Sequence, residues 1–177
     1  MKKNRHFFKK ENGVTLVELL IAAFAGLICL AVISVVYIGG IRAYELNEER
    51  AEAINRLWLN MNKIQREVRS GRHFIDPTSY EATYGITAYG NPLTFKSNDM
   101  KDIAFYTPEG SSDLYKKVSS DTAKVFAPNI TISTSVPVNP SSRSTTIILT
   151  TSWSYRDITR EESISSQVSL RNWRTQW

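Results

Sequence analysis

From Leu19 to Ile41 the chain runs for 23 residues without a charge, LLIAAFAGLICLAVISVVYIGGI. As a helix this run is about 35 Å long, enough to cross a hydrocarbon core of about 30 Å. Arg42 ends it, and Tyr44 and Glu45 follow as an interfacial group. Gly39-Gly40 weakens the helix near its exit, although glycine is common in membrane helices. Past Arg42 the apolar residues thin out without stopping, at Tyr44, Ile54, Leu57, Trp58, Met61, Ile64 and Val68. From Ile54 onward they step by three and four and so line one helical face. Glu45, Glu48, Glu49, Arg50, Glu52, Arg56, Lys63, Arg66 and Glu67 are mostly kept off that stripe. No proline or loop cluster divides the two stretches, and Ser70-Gly71 supplies the stop, with Arg66, Arg69 and Arg72 suited to a helix C-terminus. The pattern predicts one helix from about Val14 to Ser70, on the order of 85 Å long. Its first half faces lipid or like helices, and its second half offers one face to a domain.

Beyond Phe74 the texture changes. Six short apolar or alternating runs, PLTFKS, DIAFYTP, SDLYKKV, NITISTSVPV, TTIILTTSWSY and ISSQVSLRNW, are separated by Pro, Gly, Asn and Ser. β-Branched and aromatic residues dominate TTIILTTSWSYRD, which suits a strand, and PEGSSD and VNPSSRS read as turns. Helix first and strands afterwards predicts an α+β class, with a C-terminal antiparallel sheet covered on one face by the amphipathic half-helix. The expected divisions are a leader over 1–13, an apolar half-helix over 14–41, an amphipathic half over 42–71 and a β-rich domain over 72–177.

Charge sharpens this division. The 177 residues carry a formal net charge of +5. Residues 1–13 hold five basic groups, Lys2, Lys3, Arg5, Lys9 and Lys10, against Glu11, so nearly all of the excess sits there. A basic head before an apolar run is a targeting and orientation signal, the positive-inside pattern, rather than a nucleic-acid footprint. Cys29, the one cysteine, lies inside the apolar run and can form no intrachain disulfide. It reads as a small apolar filler.

One residue in the apolar region is out of place. Glu18 puts a carboxylate near its start, and an ionisable group at membrane depth is a functional candidate by default. It belongs to Gly13-Val14-Thr15-Leu16-Val17-Glu18-Leu19-Leu20, which follows the basic leader directly. This stretch resembles the class III signal of type IV pilin-like proteins, the prepilins and pseudopilins, whose usual pattern is glycine, phenylalanine, then TLVELL. Val14 stands where phenylalanine is commonest. The helix-then-sheet layout extends the resemblance over the whole chain.

The resemblance implies cleavage after Gly13 by prepilin peptidase, a membrane aspartyl protease, on the cytoplasmic side, and N-methylation of Val14. Glycine before the cut can lie extended in a tightly enclosed site, because it has no side chain. It also implies that Glu18, the fifth residue of the cut chain, pairs with the terminal ammonium of a neighbouring subunit during filament assembly. Two opposite charges buried together cost far less than either alone, so the pair would set the axial register. Further implied partners are other pilins or pseudopilins, a membrane assembly platform, and the cytoplasmic membrane before assembly. The C-terminal domain would be extracytoplasmic, then part of a pilus or pseudopilus serving adhesion, motility, DNA uptake or type II secretion. The ending Leu170-Arg171-Asn172 after an alternating run resembles the PilW-like and J-type pseudopilin group of minor pilins. The lack of a cysteine loop argues against the disulfide-stapled major pilins. Retention of Glu18 argues against the tip subunit of secretion pseudopili.

Plainer readings compete. Ala23-Phe24-Ala25 has the A-x-A form of a signal-peptidase site, though its apolar region would contain Glu18. An uncleaved anchor carrying an extracytoplasmic binding domain that never assembles is the main alternative. No H-E-x-x-H, Walker-type loop or G-x-S-x-G occurs, and the acidic residues are scattered, so no enzyme, metal site or cofactor is expected. His6 lies in the leader, and His73 reads as solvated or cap-associated. Tyr106, Trp153, Tyr155, Trp173 and Trp177 read as core or edge aromatics, with a ligand-stacking surface as the sharper alternative. Lys63, Arg66, Arg69 and Arg72 read as a solvated helix end, with a DNA-facing patch as the sharper alternative.

Overall fold

The computed structural model describes residues 14–135 and 138–171. Gly13, His6, Asn172, Trp173 and Trp177 lie outside them. The chain is α+β. Helix α1 runs from Leu16 to Arg69, 54 residues without a break. Chain contacts divide the molecule after Glu45 into two compact units, taken in turn.

In the first unit every described residue from Val14 to Ala43 is exposed, including Leu19, Phe24, Cys29 and Val35. The Ser34 hydroxyl donates back to the Leu30 carbonyl at 2.8 Å and so hides its polarity within the helix. Among the described residues, α1 is the one helix long and apolar enough to cross a membrane.

In the second unit α1 buries Ala53, Leu57, Met61, Ile64 and Val68. These step by four, four, three and four. The expected stripe is corrected at three places. Trp58 is 48% exposed, Tyr44 is 70% exposed, and Ile54 only flanks the core. Trp58 follows Leu57 by one residue, about 100° round the helix, and large size alone does not carry it inward. Ala53, four residues before Leu57, fills the inward position instead.

The helix ends in a tight exit. Ser70 donates its amide to Arg66 and Glu67 carbonyls and its hydroxyl to the Glu67 carbonyl at 2.7 Å. Gly71 then passes where a Cβ would lie 2.9 Å from the Phe95 ring, 3.0 Å from the Val68 carbonyl oxygen and 3.1 Å from Leu170. Only glycine lets the backbone turn down so closely.

Five strands follow as an antiparallel meander in chain order: β1 (His73–Phe74), β2 (Leu93–Lys96), β3 (Asp102–Tyr106), β4 (Leu114–Val118) and β5 (Lys124–Ala127). Between β1 and β2 lies α2 (Pro77–Tyr84). Asp76 caps it by accepting from the Ser79 amide at 3.0 Å, and Gly85 closes it at φ 62°. Alternation along β3 explains the layering. Ile103 and Phe105 join the α1 residues in the main core, whereas Ala104 and Tyr106 face Tyr80 and Ile86 in a smaller cluster beside α2.

A second antiparallel sheet has the order β6 (Ile130–Thr134), β7 (Ser144–Tyr155), β8 (Ile158–Ser169). Thr145, Ile147, Leu149, Thr151 and Trp153 of β7 alternate inward, while β8 buries only Val168. Three polar ties join α1 to the strands: Arg50 Nε to Glu162 Oε1 at 2.7 Å, Gln65 Nε2 to Ser166 Oγ at 2.7 Å, and Lys116 Nζ to Glu67 Oε2 at 2.6 Å. The Arg171 amide returns to the Arg69 carbonyl at 3.1 Å, satisfying an orphan acceptor of the helix end.

The six expected runs are β2, β3, β4, β6, β7 and β8, but they lie in two sheets. Two strands and one helix were not expected. β1 is two residues long, β5 is a four-residue edge strand whose Lys124 and Val125 are exposed, and α2 buries only Pro77 and Tyr80. Each is too short to show a period.

Candidate functional site

Chemistry at the start of α1 begins with backbone geometry. The first turn of any helix leaves amides without internal partners. Thr15 precedes Leu16, the first helical residue, and its carbonyl accepts from the Leu19 amide at 3.2 Å, so Thr15 is the N-cap. Its hydroxyl accepts from the Glu18 amide at 3.3 Å. The Glu18 carboxylate reaches back through Oε2, accepting from the Thr15 amide at 2.9 Å and from its hydroxyl at 3.0 Å. This reciprocal pair is a capping box.

The structure therefore gives Glu18 a local task that the sequence reading missed. The signal was there: threonine followed three residues later by glutamate, immediately before an apolar run. Both bonds to the carboxylate fall on Oε2, and Glu18 itself is exposed. Val14, 74% exposed, precedes the cap, and so Val14, Thr15 and Glu18 share one helix tip. Gly13, the other half of the expected cleavage site, lies outside the described residues.

His73 departs from expectation. It sits half-buried in β1, paired in register with Lys96, rather than solvated or at a cap. Loss of water, with further push from Lys96 and Arg72 against the pull of Asp102, holds its imidazole below the ordinary range. Asp102 joins a structural network nearby. It pairs with Lys96 at 3.2 Å and accepts from the Tyr84 hydroxyl at 2.8 Å, and that bond raises the phenol's pKa. Lys117 Nζ donates to the Tyr84 carbonyl at 2.7 Å, so these groups fasten α2 to the sheet. Tyr106 and Trp153 are buried and Tyr155 is half-buried, as core or edge aromatics.

Two shallow hollows flank Phe126. One of about 320 Å³ is lined by Lys116, Asp121, Lys124 and Phe126, the other of about 350 Å³ by Arg56, Asn60, Lys63 and Pro128. Neither brings a nucleophile to a base. Among the described residues no three His, Cys, Asp or Glu side chains gather as a metal site. Lys63, Arg66 and Arg69 are exposed on α1, and Arg72, half-buried, turns its guanidinium to Asn98 and Met100. No family model, curated protein or solved structure matches this chain.

Proposed function

We propose that this chain is a subunit of a type IV pilin-like filament, a minor pilin or pseudopilin. In this reading prepilin peptidase cuts it after Gly13, Val14 is N-methylated, and an assembly platform draws it from the cytoplasmic membrane into a helical filament core of like subunits. The observation that carries the reading is the single helix α1: capped at Thr15–Glu18, wholly exposed and apolar through its first half, and embedded in a β-rich domain by its second. An exposed apolar helix of this length needs either lipid or other helices around it. Glu18 fits such a role physically. A carboxylate one turn from the cut end can meet a neighbour's terminal ammonium, and its charge is tolerable in a helix bundle only when paired.

The test is the intact mass of the protein from membranes of its own host. A chain starting at Val14 with one added methyl group is expected. A chain starting at Met1 or Gly26 overturns the proposal and leaves an anchored or secreted β-rich domain.

A further inference from the structure

The outer side of α1 within the second unit is unevenly charged. Glu48, Glu49 and Glu52 are exposed and point away from the stripe of Ala53, Leu57, Met61, Ile64 and Val68. Further along, Lys63, Arg66 and Arg69 are exposed on the same outer side. Glu52 pairs with Arg56 within the helix, but among the described residues Glu48, Glu49, Lys63 and Arg66 have no ion-pair partner. Between the two blocks lies apolar surface, Leu59 at 62% exposure and Trp58 at 48%. Acidic first, apolar next, basic last is an ordered pattern on one unpartnered face.

We propose that this face binds the same face of a second copy, parallel and shifted along the axis so that the acidic block of one copy meets the basic block of the other. The parallel orientation rests on the filament reading, in which every copy enters the bilayer the same way round. In parallel copies without a shift, glutamates would face glutamates and cations would face cations. A shift of about four and a half turns, roughly 24 Å, brings Glu48, Glu49 and Glu52 beside Lys63, Arg66 and Arg69. Exposed ion pairs add little affinity singly, but a matched set rejects wrong registers. Leu59 and Trp58 supply the apolar contact that the charges align.

Cysteine cross-linking of the full chain in detergent, with Cys29→Ser throughout, tests this. Glu49→Cys mixed with Arg66→Cys is expected to give the mixed disulfide dimer on mild oxidation with diamide, in preference to either homodimer. Molar salt should suppress it. Glu48→Lys with Glu52→Lys should abolish the mixed dimer, as should Lys63→Glu with Arg69→Glu, and all four changes in one chain should restore it.

Homodimers in place of the mixed dimer overturn the proposal, as does a mixed dimer indifferent to salt and charge reversal. Efficient pairing of Asn55→Cys with Leu59→Cys would mean antiparallel packing and also overturns it. So does the absence of any dimer. None of these outcomes touches the mass of the processed chain, so the filament reading and the staggered contact fail separately.

Discussion

The amide and hydroxyl of Thr15 both donate to Glu18 Oε2, so removing the carboxylate removes a helix cap together with a charge. The two effects can be separated. Glutamine can still close a capping box, whereas alanine cannot. If the charge matters for assembly, Glu18→Gln and Glu18→Ala are both inserted and cut yet poorly incorporated into filaments, as scored by immunoblot of sheared filaments against membranes. Normal incorporation of Glu18→Gln would leave only the cap. His73 makes a different prediction. Its imidazole is held below the ordinary 6.5, so below that pH the unfolded chain binds more protons than the folded one. Stability should therefore fall as pH drops from about 6.5 toward the lowered folded value, then stop changing on this account. Thermal melts of His73→Gln should lack that component of the slope. Glu18 was legible in the sequence because a charge interrupts an apolar run. The environment of His73 was not, since it is made by Lys96 and Asp102 from strands that no local pattern brings beside it.

Helix α1 shows which element-scale signals carry furthest. Its length and its stop at Ser70-Gly71 follow from unbroken periodicity, and no tertiary contact is needed to read them. The inward face was less legible, because Trp58 and Leu57 are neighbours and hydrophobicity does not tell which of them turns in. The difference should be large in stability. Leu57→Ala is expected to cost about 2–5 kcal/mol by leaving a cavity at a fully buried site. Trp58→Ala should cost no more than about 1 kcal/mol, because its ring is half in water. Denaturant titration of both variants measures the contrast. Gly71→Ala belongs with the first, at about 1–3 kcal/mol, since its methyl would press on Phe95 and Leu170. The short elements β1, β5 and α2 escaped prediction because eight residues or fewer cannot display a helical or strand period against noise.

At the scale of the molecule, the described side chains before Ala53 contribute nothing to the buried core, which is assembled from the second half of α1 and both sheets. A chain beginning at Leu46 is therefore expected to fold, to stay in solution without detergent, and to melt in one transition by circular dichroism. Precipitation or a molten spectrum would show that the apolar half supports the domain. The order of helix and strands was legible from texture alone. The division into two sheets was not, because the pairings from β3 to β4 and from β6 to β7 are chosen by side chains far apart in sequence. The ties along α1 have a mechanical meaning. Arg50 is held to β8, Glu67 to β4, Gln65 to β8 again, and the Arg69 carbonyl to the returning chain. A pull along the helix axis loads these bonds and the stripe between them side by side, in shear, so none can be peeled open ahead of the rest. A domain fastened in this way can be hauled by its helix and arrive still folded.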